Sequence, residues 1–186
     1  NGKCDIDVIK LMLRHSDDVK NLVSAQNENQ QTALHLAVNT KKRFEVVKLL
    51  VENFSNSSAS DKDKNSPLHL EINGKCDIDV IKLMLRHSDD VKNLVNATNE
   101  NQQTALHLAV NKNNSEVVKL LLENFSNPSA SDKDKNTPLH LEINGKCDID
   151  IIKLMLRHSD DVKNLVNATN ENQQTALNVA VNKKSS

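Results

Sequence analysis

Seven residues recur along this chain at a spacing that leaves few folds open. T-A-L-H-L-A-V at 32–38 returns as S-P-L-H-L-E-I at 66–72, T-A-L-H-L-A-V at 104–110, T-P-L-H-L-E-I at 137–143 and T-A-L-N-V-A-V at 175–181. The copies begin at Thr32, Ser66, Thr104, Thr137 and Thr175, in steps of 34, 38, 33 and 38 residues. A period of that size marks a repeat array, in which each unit packs on its neighbours and no central core is needed. A length of 186 residues would otherwise suggest one or two compact domains. Aligned with itself, the chain contains three copies of a two-repeat block: 1–72, 73–143 and a shorter 144–186. The first 23 residues of blocks one and two are identical, and the third differs there only at Ile151. Identity of that degree points to recent duplication, so sameness between copies is no sign of functional constraint.

Each block alternates helical patterns with polar turns. After the turn N-G-K-C, the segment I-D-V-I-K-L-M-L-R-H has apolar residues at 6, 8, 9, 11, 12 and 13, a wide helical stripe. Ser16-Asp17-Asp18 can end that helix or cap a further turn through Val19, Leu22 and Val23. The polar turn S-A-Q-N-E-N-Q-Q at 24–31 precedes T-A-L-H-L-A-V-N, with Thr32 as N-cap. Ser66-Pro67 and Thr137-Pro138 are firmer starts, because a hydroxyl cap is followed by a proline whose missing N–H would be unused anyway. A loop then leads to E-V-V-K-L-L-V-E-N-F, a second amphipathic helix, and to the polar connection S-N-S-S-A-S-D-K-D-K-N.

This order of turn, short helix, loop, longer helix and connection resembles the ankyrin repeat. The family's T-P-L-H-x-A signature stands here as T-A-L-H-L-A twice, and as T-P-L-H-L-E or S-P-L-H-L-E. The stretch 121–140 follows the family pattern from second helix through β-turn finger to the next first helix without a gap. The resemblance covers essentially the whole chain and implies an all-α ankyrin-repeat solenoid of helix-turn-helix units with β-turn fingers. The expected organisation is a single array over 1–186: a half repeat at 1–24, full repeats at 25–58, 59–95, 96–129 and 130–166, and a half repeat at 167–186.

Departures from the family pattern raise specific structural questions. The family's finger glycine is replaced by Gln30, Lys64, Gln102, Lys135 and Gln173. Either these residues keep φ > 0 at a local cost, or the finger adopts another turn. Phe54 or Phe125 replaces the glycine that ends the second helix in one repeat type. The other type has four extra residues within S-D-D-V-K-N-L-V, expected to lengthen the helix by a turn. Glu71 and Glu142 replace a tightly packed alanine. Their carboxylates are expected to reach the edge of the stack, or the first helix must shift to let them out.

Composition narrows the chemistry. Aromatics are limited to Phe44, Phe54 and Phe125, so the core must be aliphatic. A net charge of −1 offers no generic attraction to nucleic acid or anionic membrane, and no basic stripe or stacking platform is present. No segment is long and apolar enough to span a bilayer. Cys4, Cys76 and Cys147 are one position seen three times, two repeats apart and too distant for a disulfide or a shared zinc. They are expected to be reduced thiols, which points to an intracellular, cytoplasmic location. His35, His69, His107 and His140 invite a metal or catalytic reading. Stacked about 10 Å apart, they are too far apart to share an ion, and Asn178 replaces the last copy. The resemblance implies a structural role instead, bonding near the finger and the Thr hydroxyl. His15, His87 and His158 lie near helix C-termini, where a cation suits the helix dipole. With three glycines in total there is no phosphate loop, and no nucleophile–base pair can be assembled. No catalytic residue, cofactor or metal is expected.

The resemblance implies a non-enzymatic protein–protein interaction module. Its contact surface would be the concave face of finger tips and first helices, and its partner a protein. The tip residues are Glu28, Asn29, Lys62, Asp63, Glu100, Asn101, Lys133, Asp134, Glu171 and Asn172. They alternate between zwitterionic and weakly acidic strips, without the aromatics or arginines that usually anchor interfaces. A solvated turn explains the same residues without a partner. Two other functions remain open: a regulatory or targeting segment of a larger enzyme, channel or effector, and a spacer array with no specific partner. The terminal half repeats resemble interior ones and lack the polar outer face of capping repeats. They are expected to support end-to-end self-association, or to continue into a longer array.

Overall fold

The computed structural model describes residues 6–40, 43–53 and 56–183. Among them the regular structure is α-helical, in two units, Asn1–Asp90 and Val91–Ser186. The first unit contains α1 (Ile6–His15), α2 (Val19–Ser24), α3 (Ala33–Ala37), α4 (Arg43–Glu52), α5 (Pro67–Asn73) and α6 (Ile78–Arg86). The second contains α7 (Val91–Asn96), α8 (Ala105–Asn111), α9 (Ser115–Glu123), α10 (Pro138–Asn144), α11 (Ile149–Arg157), α12 (Val162–Asn167) and α13 (Ala176–Lys183). Gly2, Cys4 and Phe54, each singled out in the sequence, lie outside the described residues.

Within each unit, first helices pack on first helices and second helices on second helices. α3 packs on α4 and α5, and α4 on α6; in the second unit α8 packs on α9 and α10, and α9 on α11. The 3.6-residue period explains the pairing. On α8, Leu106, Ala109 and Val110 are all buried, and on α9 Val117, Val118, Leu121 and Leu122 are buried likewise. Each fully buried leucine contributes about 2–3 kcal/mol relative to exposure. The core is aliphatic, as the scarcity of aromatics requires: Leu34, Leu68, Ile72, Ile81 and Met84 fill the first unit.

The extra residues of the longer repeat type do not lengthen a helix. The chain breaks at 16–18 and starts again as the six-residue α2, and the same break separates α11 from α12. Asp18 and Asp161 sit outside the helical region at φ −136° and −138° and accept the N–H of Asn21 and Asn164, both at 2.9 Å. A capping aspartate competes with helix continuation, and here it wins. The preceding helix is closed by its histidine: His15 and His158 hydrogen-bond through Nδ1 to the carbonyls of Leu11 and Leu154.

Glu71 and Glu142 adopt neither expected arrangement. They are buried, at 0% and 3% exposure. Each turns its carboxylate into the following loop, where Oε1 accepts the N–H of Asp77 at 2.9 Å or Asp148 at 2.8 Å. Asp148 in turn caps α11 by accepting from Asp150 and Ile151. The buried glutamate thus ties the first helix of a repeat to the start of its second. The loop between them turns tightly: Cys76 and Cys147 lie at φ 54° and 57°, and a Cβ on Gly74 or Gly145 would stand 3.0 or 3.1 Å from the Leu70 or Leu141 carbonyl oxygen. Only glycine fits that approach comfortably.

Three of the heptapeptide histidines, His35, His107 and His140, are bridges between repeats. Nδ1 of His35 lies 3.1 Å from the Thr32 amide and 2.9 Å from its hydroxyl, while Nε2 lies 3.0 Å from the Asn65 carbonyl oxygen. An amide can only donate and a carbonyl can only accept. Nδ1 is therefore the acceptor and Nε2 carries the proton. His107 repeats the arrangement with Thr104 and the Asn136 carbonyl, and His140 with Thr137 and the Gln174 carbonyl. Asn178 reproduces the near half: its Oδ1 accepts from the Thr175 amide and hydroxyl, both at 2.9 Å. These rings are buried, and both nitrogens are engaged within the fold.

Burial pushes His35 and His107 below the ordinary value of 6.5, against the weaker opposite pull of the finger carbonyls and of Asp61 and Asp132. The sign follows from proton counting. Above 6.5 the folded and unfolded chains both hold neutral rings. Below it the unfolded chain takes up protons that the folded chain refuses, until the lower folded value is reached. Stability therefore falls as the pH drops below 6.5. Urea unfolding of the wild-type chain is expected to show a loss between pH 7 and pH 5 that shrinks in the variant His35→Asn/His107→Asn. That variant keeps the Thr bonds and loses two bridges, at a cost of about 1–2 kcal/mol each at pH 7. An unchanged pH slope in the variant would refute the assignment.

Candidate partner-binding surface

The fingers are built around one residue each. Asn27 Oδ1 accepts the amides of Asn29 and Gln31 at 2.9 and 3.0 Å. Asp61 does the same for Asp63 and Asn65, Asn99 for Asn101 and Gln103, Asp132 for Asp134 and Asn136, and Asn170 for Asn172 and Gln174. Asp and Asn serve equally because the bond uses one side-chain oxygen. Backbone bonds close the same turn: Gln30 N–H to Asn27 O at 2.8 Å, and Asn27 N–H to Gln31 O at 3.0 Å. This geometry requires the fourth residue to be left-handed. Gln30, Lys64, Gln102, Lys135 and Gln173 all lie at φ 57–59°. Of the two alternatives posed by the missing glycines, the positive φ is kept. Phe125 stands likewise at φ 66°, where the resembled pattern has its helix-ending glycine.

Neighbouring finger tips are joined through their backbones. Lys62 N–H donates to Asn29 O and Lys133 N–H to Asn101 O, both at 3.0 Å, and Glu171 N–H donates to Asp134 O at 2.8 Å. In the first unit this brings Glu28 and Asn29 beside Lys62 and Asp63. In the second it aligns Glu100, Asn101, Lys133, Asp134, Glu171 and Asn172. All ten are exposed. Each unit thus offers charged and amide side chains on a stiff ledge of its own, whose backbone groups are partly spent internally. No group of three or more His, Cys, Asp or Glu that could hold a metal occurs among the described residues.

The second unit also has a recess that tip-by-tip reading does not reveal. It encloses about 310 Å³ between α10, α13 and their fingers. Its walls include the tips Asp134, Glu171 and Asn172, together with Asn136, Leu141, Asn144, Gln174 and Val179. The last five went unnamed in the sequence reading because a residue lines this recess only when two repeats are juxtaposed. The one sequence signal is their position on the finger base and on the first-helix side away from the second helix.

Comparison with known proteins gives a consistent result. A family model described as ankyrin repeats matches in three copies, over residues 1–92, 45–132 and 68–164. NF-kappa-B inhibitor alpha of Sus scrofa is 37% identical over 87 residues, 46% of this chain and 28% of that protein. Inversin of Mus musculus is 37% identical over 86 residues, 45% of this chain and 8% of that protein. The matches thus span less than a third of either relative.

The left-handed finger residues generate a stability prediction. Replacing Gln102 and Lys135 by glycine removes a side chain from a conformation that costs an L-residue about 1–2 kcal/mol. The added freedom of the unfolded chain returns about 0.5–1 kcal/mol of this. Each replacement is expected to stabilise the chain by up to about 1 kcal/mol, read as a higher urea midpoint at unchanged slope. Destabilisation by either glycine would contradict the turn geometry.

Proposed function

We propose that this chain, which belongs to the ankyrin repeat family, is a non-enzymatic module that binds a partner protein through its finger tips and the adjoining sides of its first helices. Ankyrin repeats are in general protein–protein interaction modules, and generally without enzymatic activity. The observation that carries the reading for this chain is the ledge itself. Within each unit the tips are joined backbone to backbone, four exposed tip side chains in the first and six in the second, so the backbone beneath them is already ordered before binding, which favours affinity. The name of NF-kappa-B inhibitor alpha says that it acts on another protein, in keeping with a module of this kind. The proposed repeat boundaries remain 25–58, 59–95, 96–129 and 130–166, with half repeats at 1–24 and 167–186, and the proposed setting is intracellular. A regulatory or targeting segment of a larger enzyme, channel or effector would use the same surface.

Affinity capture tests the reading. Alanine at Lys62, Asp63, Lys133 and Asp134 is expected to lower recovery of a specific partner roughly tenfold or more, in keeping with the energies of central interface positions. Circular dichroism of the variant should be unchanged, because these tips hold the fold by backbone bonds. Full retention of every captured protein would favour a spacer array instead.

A second reading, self-association, has its own observation. α1 and α6 share the sequence IDVIKLMLR. Leu83 and Met84 are 8% and 0% exposed on α6, which packs on α4, whereas Leu11 and Met12 on α1 are 55% and 56% exposed. At the other extreme Leu177 is 70% exposed where its equivalent Leu106 is buried. We infer that these faces of α1 and α13 take one another in a head-to-tail pair of chains. Light scattering is expected to show a mass that rises with concentration, and Met12→Lys with Leu177→Lys to abolish the rise. One constant monomer mass up to high concentration would rule it out.

A further inference from the structure

We propose that the recess between α10, α13 and the last two fingers seats a lysine or arginine side chain of the partner protein. The inference rests on the reading of this side of the unit as the partner-binding surface and specifies what the partner must bring. The floor of the recess has no chemistry to spare. His140 accepts at Nδ1 from Thr137 and donates at Nε2 to the Gln174 carbonyl. Asn170 accepts from the Asn172 and Gln174 amides and donates to the side chains of Asn136 and Gln174. A ligand that used these groups would break the turn that builds the recess.

What remains is at the rim. Among the described residues, the carboxylates of Asp134 and Glu171 have no ion pair or hydrogen bond, and neither do the side-chain amides of Asn144 and Asn172. The Glu171 amide bonds to the Asp134 carbonyl, so the two acidic tips are held on adjacent fingers. Among the described residues no lysine or arginine lines the recess. Lys183 is engaged elsewhere, its Nζ bonding to the carbonyls of Ile143 and Gly145 at the end of α10, and Lys133 and Lys135, which flank Asp134 in the chain, are not among the lining residues. Every rim group can therefore accept a hydrogen bond, both formal charges are negative, and the local field favours a cation.

Shape selects an organic cation on a stem. Leu141 and Val179 line the recess and offer an apolar wall against which methylenes can lie while the charged head reaches the carboxylates. A metal ion is poorly served: both nitrogens of His140 are engaged, leaving two carboxylates and neutral amides. At about 310 Å³ the recess is at the small end of ligand sites, with room for one long side chain rather than a bulky group.

The test uses the whole chain, labelled with nitrogen-15, and two capped pentapeptides, Gly-Gly-Lys-Gly-Gly and its norleucine counterpart. With the lysine peptide, saturable shifts are expected at the amides of Asn144, Glu171 and Asn172. They should be smaller at higher salt, absent with norleucine, and weakened roughly fivefold to tenfold in affinity by Asp134→Asn/Glu171→Gln. The inference is overturned if norleucine shifts the same amides equally, if the double variant binds as well as wild type, if the shifts spread over the helix-capping aspartates Asp18 and Asp161, or if neither peptide shifts anything at tens of millimolar. Capture experiments separate this failure from that of the wider reading. A partner lost by alanine at Lys62, Asp63, Lys133 and Asp134 but held by Asp134→Asn/Glu171→Gln would sink the recess alone.

Discussion

The structure of each unit depends on an imidazole that is asked to do two opposite things at once. One nitrogen accepts from the cap of its own helix, and the other donates to the finger of the following repeat. The two demands choose the tautomer between them, and burial keeps the ring neutral. Hydrophobic burial alone would hold neighbouring helices together without fixing their register, because Leu, Ile and Val are interchangeable over a row of similar holes. The histidine bond has one donor and one acceptor at fixed places, and so it sets the register that burial leaves loose.

The fingers invert the usual relation between sequence and turn. A left-handed residue is normally a glycine, yet five glutamines and lysines take that place here. What holds them is redundancy. The Asp or Asn at the finger base binds two amides, the backbone closes the turn twice, and a neighbouring finger of the same unit adds a bond of its own. With several bonds specifying one geometry, a cost of a kilocalorie or two at a single residue does not change the turn.

Much of this was legible in the residues. The heptapeptide at its five places, the Thr/Ser caps and the missing aromatics were sufficient to place the first helices and an aliphatic core. The failures lie where a side chain chooses between local partners. Asp18 and Asp161 were capable of ending one helix and starting another, or of riding on a longer one, and helical periodicity runs through both cases. Glu71 and Glu142 read as misfits because a carboxylate in place of alanine has no good packing partner. Their actual partner is a backbone amide six residues on, which no side-chain pattern records. The recess was hidden for another reason: its walls come from two repeats, and Asn144 and Val179 acquire a shared role only when the repeats meet.

The backbone-to-backbone bonds between finger tips have an evolutionary consequence. Because Lys62, Lys133 and Glu171 join their neighbours through main-chain atoms, the side chains at those places carry little of the stability. A duplicated block can then change its tips one residue at a time, with the fold indifferent to the outcome. The near-identity of the three blocks describes a scaffold copied whole, on which the tip side chains can diverge later and separately. Such a chain is a substrate for rapid adaptation, because its most exposed residues are largely those that folding does not constrain.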